Sequence, residues 1–188
     1  MIVCSIIFII VAIPFRYFFP VLNISQLRPS SALPPAFGMM FGFWGGALGA
    51  ALGDLVSDII IGYPLVIVIF GFIANFLFGY ISYKLWYSFN IGDKLTKPRL
   101  DTLNNLLKFI IVITITSLIM TALLSFLLES VGILSFVSLQ TLIFLLANFD
   151  FSMILGILII SIANIYGIKM YSPKQKKHLL ILKYSIFH

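Results

Sequence analysis

The sequence predicts an all-α integral membrane protein, a bundle of six transmembrane helices, or of five if residues 33–61 form one helix. Of its 188 residues, 61% are hydrophobic and only 10% are charged, and the mean hydropathy is +1.14. Soluble domains have about 45–50% apolar and about 25% charged residues. The long apolar runs favour helices, because backbone polar groups in lipid must be satisfied within helices or a closed barrel. One membrane domain, 1–188, is expected.

Six apolar runs are predicted to cross the bilayer, at about residues 1–20, 33–44, 45–61, 65–87, 106–128 and 152–170. A span needs about 20 residues. The run 33–61 is longer than that and forms either one tilted helix or two helices broken within 42–46, since glycine weakens a helix. Residues 139–147 are apolar but too short to cross, and we expect them to pack back into the protein, apart from the last span.

The first run lacks the basic start and the small-residue cleavage site of a signal peptide, so it is expected to be a retained span. The net charge of +6 is concentrated in short connectors and in the tail 171–188. This distribution is typical of loops that face anionic lipid, not of nucleic-acid binding. We therefore predict a multi-pass protein of the cell membrane that is surrounded by the lipid bilayer and binds no nucleic acid.

The positive-inside rule places the connector 89–105 and the tail in the cytoplasm. With six spans, both termini are cytoplasmic and the connector that contains Arg28 lies outside. With five spans, Arg16 and Arg28 lie inside, and charge counting alone mildly favours this alternative. The sequence leaves the two topologies open.

No metal, cofactor or nucleotide site is predicted. Cys4 is the single cysteine, and both histidines, His178 and His188, lie in the tail. The phosphate-binding pattern G-x-x-x-x-G-K-[ST] is absent, so we expect no ATP hydrolysis by this chain. No internal repeat is visible, which disfavours a carrier built from inverted repeats.

The stretch 27–62 combines a glycine stripe with two acidic residues. Glycines recur every fourth residue, at positions 45, 49 and 53. Without side chains there, a second helix can approach closely, either within this protein or from a partner. Asp54 and Asp58 fall on an adjacent face, and charges within apolar spans indicate a paired or functional site. Internal hydrogen bonding and ligand contact are equally compatible with this pattern.

A catalytic pair of aspartates is the sharper alternative, in a membrane-embedded enzyme. Intramembrane aspartyl proteases carry Gly-x-Gly-Asp, whereas this chain has Ala51-Leu52-Gly53-Asp54. Both aspartates would also lie on one helix and not on two facing helices. A non-catalytic membrane scaffold is the third alternative.

The same stretch resembles the S components of energy-coupling-factor (ECF) transporters, small membrane proteins that capture vitamins and related micronutrients. The matching features are the polar first connector, Ala32-Leu33-Pro34-Pro35, the glycines of 42–46, and Gly49-Ala50-Ala51-Leu52-Gly53-Asp54. Size, span number and the basic tail agree over nearly the whole chain. The resemblance implies six helices, an outward-facing ligand pocket covered by the first connector, and docking on a T subunit driven by two ATPase subunits. It implies no catalytic residue in this chain.

Members of the family commonly dock through alanines at four-residue spacing on the first helix. That helix here offers only Cys4, Ser5 and Ala12 as small residues, so we predict docking through the third helix. The predicted docking residues are Gly45, Ala47, Gly49, Ala51 and Gly53.

The predicted ligand pocket collects polar residues of the outer half of the bundle. They are Arg28, Asn75, Gln140, Asn148 and Asp150. Each alone is more simply a hydrogen bond between helices, but as a group they form the candidate substrate site. Amides, carboxylates and one arginine suit a flavin, a pterin, a purine-like base or a thiamine-like cation.

Overall fold

The computed structural model describes residues 1–18, 20–21, 25–26, 28–88 and 98–170. Its helices are α1 (Ile2–Phe18), α2 (Leu33–Gly42), α3 (Leu48–Ile61), α4 (Leu65–Ser88), α5 (Leu103–Ser130) and α6 (Leu139–Ile165). A 3-10 turn, Pro29–Ala32, precedes α2, and a π-helical turn, Phe43–Ala47, joins α2 to α3. Between α1 and α2, strands β1 (Pro20–Val21) and β2 (Ser25–Gln26) pair antiparallel.

The predicted class, an all-α membrane protein, is confirmed. Four helical segments are long and apolar enough to cross a membrane: Pro29–Ile61, Leu65–Ser88, Leu103–Ser130 and Leu139–Ile165. A shorter apolar helix covers Ile2–Arg16. Large apolar side chains face outward, such as Ile10 and Ile154, which are 64% and 63% exposed. Such a surface is suited to lipid and not to water.

The segment Pro29–Ile61 reverses direction near Gly42 and does not continue as one straight helix. Gly42 has φ 71° and ψ −162°, a conformation that glycine adopts without steric cost. A Cβ on Gly46 would lie 1.9 Å from the carbonyl oxygen of Phe37, nine residues earlier. Nine residues of straight helix span about 13.5 Å. The structure therefore has the break that the six-helix alternative predicts within 42–46.

The contacts of α4 give the directions of α2 and α3. A Cβ on Gly79 would lie 2.8 Å from the Pro34 carbonyl oxygen and 2.9 Å from the Ala47 Cα, so α2 and the end of the turn Phe43–Ala47 both flank this glycine. The Tyr87 hydroxyl donates to the Met39 carbonyl at 3.1 Å, so α2 runs parallel to α4. The helix α3 therefore runs antiparallel to both.

Neighbouring helices in the chain alternate in direction throughout the described residues. The hydroxyl of Ser5 donates to the Gly49 carbonyl at 2.7 Å, near the beginnings of α1 and α3. At the opposite end of the chain, Asn164 of α6 donates to the Pro98 carbonyl at 2.8 Å, just before α5 begins. We call the end of the bundle with Met1 and the turn Phe43–Ala47 the Met1 end, and the opposite end the Tyr63 end.

Residues 139–147 do not pack back as a separate piece, and that expectation is wrong. They form the first turns of α6, which continues unbroken to Ile165. Ser138 caps its beginning, because the Ser138 hydroxyl accepts a hydrogen bond from the Thr141 backbone N–H at 3.2 Å. No glycine or proline follows before Gly156, so nothing stops the helix at residues 148–151.

The apolar core divides into three buried clusters. Near the Met1 end, Trp86 and Phe109 pack with Met39 and Ile160. A second cluster joins α4, α5 and α6, and a third joins α1, α2 and α3 around Phe8. The charged residues described next lie between α1, α3 and α4, towards the Tyr63 end.

Candidate functional site

A buried charge cluster joins α1 to α3. The Arg16 guanidinium pairs through Nη2 with Asp54 Oδ1 at 2.5 Å and through Nη1 with Asp58 Oδ1. The three side chains are at most 3% exposed. Because the aspartates are four residues apart on one helix, both carboxylates face the same neighbour. One planar guanidinium therefore holds two carboxylates, a geometry that its fork of N–H donors favours.

Asn75 and Gly71 of α4 complete this charge cluster. The Asn75 amide donates to Asp54 Oδ2 at 2.8 Å and to the Gly71 carbonyl at 3.0 Å. A Cβ on Gly71 would lie 2.9 Å from Asp54 Oδ2 and 3.0 Å from Asp58 Oδ2. Gly71 thus provides the space in which the carboxylates meet α4. Asn75, predicted for the ligand pocket, instead makes a hydrogen bond between helices.

A small cavity lies beside this cluster at the Tyr63 end. Its volume is about 140 Å³. The lining residues are Arg28, Asp58, Tyr63, Ile67, Gly71, Leu124, Leu128, Ile133 and Phe144. Polar groups from the first connector and α3 face apolar side chains from α4, α5 and α6. An apolar pocket with a few convergent polar groups is typical of a small-molecule site.

Arg28 brings a second cation to the cavity that Asp58 lines. Its side chain is half-buried, and its Nε is buried without a hydrogen-bond partner among the described residues. With Arg16, Asp54 and Asp58, it forms a set of two positive and two negative charges. In the described part of the chain, no three side chains gather as metal ligands.

The structure brings only Arg28 of the predicted pocket residues to this cavity. Asn148 lies between α5 and α6, where its amide is 3.4 Å from Met120 Sδ and 3.5 Å from Thr121 Oγ1. Gln140 is half-buried in the first turn of α6, and Asp150 is exposed on its outer face. The predicted convergence therefore fails, because the continuous α6 turns these side chains in different directions.

The glycine stripe is also corrected, because it serves packing inside the bundle. The predicted docking residues were Gly45, Ala47, Gly49, Ala51 and Gly53. A Cβ on Gly49 would lie 2.8 Å from the Met1 carbonyl oxygen, and one on Gly53 would lie 2.6 Å from Phe8 Cβ. Ala47 and Ala51 are fully buried. Among the five, only Gly45 is partly accessible. A partner cannot reach a stripe that α1 and α4 already cover.

Sequence reasoning missed Arg16 and Tyr63 as site residues. A usable indication for Arg16 was present, because it is the sole charged residue before Arg28. A lone arginine in an apolar run needs a carboxylate partner, and the nearest carboxylates along the sequence are those of Asp54 and Asp58.

Comparison with known proteins adds no identification. No protein-family model, no curated protein and no solved structure matches this chain.

Proposed function

We propose that this chain is the substrate-specific subunit, or S component, of an ECF-type importer. It binds a small water-soluble micronutrient from outside the cell and delivers it together with a T subunit and two ATPase subunits. One observation carries the proposal: Arg28 of the first connector and Asp58 of α3 line the same small cavity at the Tyr63 end. The resemblance of the stretch 27–62 to S components supports it.

The side of the membrane follows from the charges of the connectors. The segment that joins α4 to α5 carries Lys94, Lys97 and Arg99 and begins and ends at the Met1 end. The positive-inside rule favours a cytoplasmic location for that segment. On this assignment the cavity is near the outer surface, where a ligand enters from outside.

The lining chemistry indicates the kind of ligand. The Arg28 guanidinium donates to a carbonyl or anionic group, and the Asp58 carboxylate accepts from an N–H or O–H group. Ile67, Leu124 and Phe144 offer an apolar wall for a ring. The apolar wall and the two polar groups suit a ring with hydrogen-bonding edges, such as a pterin, a purine-like base or a thiamine-like ring.

Thermal unfolding of the detergent-purified protein with a panel of vitamins and their precursors tests the proposal. The true ligand at 100 times its Kd stabilises the protein by about 2.7 kcal/mol and raises its Tm. Arg28→Ala, which removes the donor, and Ile67→Trp, which fills the cavity, are expected to abolish this shift. The control Arg99→Ala changes an exposed arginine at the other end of the bundle and is expected to keep it.

Native mass spectrometry of the same preparation is expected to show a co-purifying small molecule. If no molecule co-purifies and no compound of the panel raises the Tm, the proposal is wrong. It is also wrong if Arg28→Ala and Ile67→Trp both bind the ligand as the unchanged protein does.

The two other functions gain no support from the charge cluster or the stripe. An aspartyl catalyst needs two carboxylates that share a proton and reach the substrate. Here Arg16 binds Oδ1 of both Asp54 and Asp58. A scaffold that binds through the glycine stripe would need that stripe on the surface, and it lies against α1.

A further inference from the structure

The outward face of α6 carries one charge in the middle of an apolar stripe. We call the α6 outer stripe the residues Leu142, Leu146, Asp150, Ile154, Leu158 and Ile162, which recur every fourth position. Its five apolar members are each 50–63% exposed. Asp150 is exposed too, and it forms no hydrogen bond or ion pair with the residues that the structure describes.

Asp150 lies within the hydrocarbon wherever α6 is placed along the membrane normal. The helix has 27 residues, and a span needs about 20. Every stretch of that length within Leu139–Ile165 contains Asp150. A carboxylate that faces lipid tails is expensive, and such groups normally face a protein interior or an opposite charge. In each of these placements at least four residues of α6, about 6 Å of helix, separate Asp150 from the edge of the hydrocarbon.

We propose that the α6 outer stripe docks a transmembrane helix of another protein, which presents an arginine or lysine opposite Asp150. The apolar members of the stripe supply van der Waals contact along the helix, and the ion pair fixes its depth. The proposal does not depend on a ligand in the cavity, which opens at the Tyr63 end.

A second copy of this chain is a poorer occupant. In the described helices, Arg16 is buried, and only Lys84 and Lys108 are further basic residues. Both lie towards the Met1 end, within six residues of a helix terminus. Lys84 is 5.6 Å from the ring centre of Tyr80, and Lys108 already interacts within the described chain. In a symmetric dimer whose two copies have the same orientation in the membrane, residues at equal depth face each other. Such a dimer does not place Lys84 or Lys108 opposite Asp150.

The test places the photo-crosslinking residue p-benzoylphenylalanine at Leu146 in the full chain, expressed in its native membrane. We expect one heteromeric adduct, whose crosslinked helix carries an arginine or lysine within one turn of the crosslink. Asp150→Asn is expected to reduce the adduct about 3- to 20-fold, the range for a polar helix–helix contact in lipid. Exchanging the charges, Asp150→Lys here and the cation to aspartate in the partner, is expected to restore it.

A matched control exchanges Asp150 and Ile154, which moves the carboxylate one turn along the same stripe without changing composition. It is expected to lose the adduct while keeping the Tm of the unchanged protein, because Asp150 makes no internal contact. The proposal is overturned if Asp150→Asn leaves the adduct unchanged, if the exchanged charges fail to restore it, or if the products are lipid or a second copy alone.

Discussion

Arg16 is the counter-ion of Asp54 and Asp58, two carboxylates whose burial in a membrane would be costly without a cation beside them. Removing one partner of a buried ion pair leaves an uncompensated charge, whereas replacing the whole set by neutral groups can be nearly neutral. The side chains of Arg16, Asp54 and Asp58 are at most 3% exposed and lie between α1, α3 and α4. Removing one member of the cluster and neutralising all three members should therefore have very different effects on stability.

We predict that Arg16→Met lowers stability by about 3–5 kcal/mol, because both carboxylates lose their cation. The triple variant Arg16→Met, Asp54→Asn, Asp58→Asn is expected to recover much of that loss despite its two further changes. Thermal unfolding in detergent measures both, with Arg99→Met as the exposed control. Equal Tm values for the unchanged protein and Arg16→Met would contradict the structural role of the pair.

The sequence identified the buried polar residues more successfully than the residues with which they pair. Asp54, Asp58 and Asn75 are exceptional in apolar runs, which is visible in composition alone. Their pairing depends on α1 lying beside α3 and on Gly71 leaving space, and these are tertiary facts. Arg16 and Asp54 are 38 residues apart, a separation at which helix periodicity carries no information.

The contact between α2 and α4 depends on a close backbone approach at Gly38. Outside the turn Phe43–Ala47, it is the closest such approach at any glycine that the structure describes. A Cβ on Gly38 would lie 2.1 Å from the carbonyl oxygen of Gly79, an atom of another backbone that cannot swing aside. A Cβ on Gly156 would instead meet the end of the Phe109 ring at 2.9 Å, and that ring can move. Alanine in place of Gly38 therefore tests a contact with backbone, whereas alanine in place of Gly156 tests a contact with a movable side chain.

We predict that Gly38→Ala destabilises the protein by about 1–3 kcal/mol, the usual cost of overpacking, because α2 must move away from α4. Gly156→Ala is the matched control and is expected to cost less. Unfolding of both variants in the same detergent gives the comparison. The close approach would be refuted if Gly38→Ala were as stable as Gly156→Ala.

Some helix boundaries of this chain can be predicted from sequence patterns, and others cannot. The glycines of 42–46 indicated the break near Gly42 as one of two alternatives, because glycine weakens a helix. The continuity of α6 was not indicated, because Asn148 and Asp150 looked like a boundary between an apolar piece and a span. Polar residues do not end a helix in the way that glycine or proline does, and here they continue it.

The charge cluster and the small cavity that Arg28 lines both lie towards the Tyr63 end of the bundle. The composition predicted the membrane class, whereas the sequence left the five-helix and six-helix topologies open. The location of the cavity was not predictable, because it depends on Arg28 meeting Asp58 from a separate element. Only one of the five predicted pocket residues lines it.

The reversal at Gly42 predicts which side of the membrane each connector faces. In a Cys4→Ser background, Trp44→Cys and Asp101→Cys should react with a membrane-impermeant thiol reagent from the same side, the cytoplasm under the positive-inside rule. Val137→Cys, which replaces an 88% exposed residue at the Tyr63 end, should react from the other side. Protection of Trp44→Cys from the reagent on both sides would mean that residues 29–61 cross as one helix, because residue 44 would then lie near the middle of the span.

The charge cluster also has a consequence for how the chain enters the bilayer during synthesis. On insertion scales, an aspartate at the centre of a helix costs about 2.5–3.5 kcal/mol, and α3 carries two. Their counter-ion was made earlier, on α1, and Asn75 emerges later, on α4. We therefore expect the translocon to retain α1 until α3 arrives, so that the first three helices leave it as a group and not one at a time.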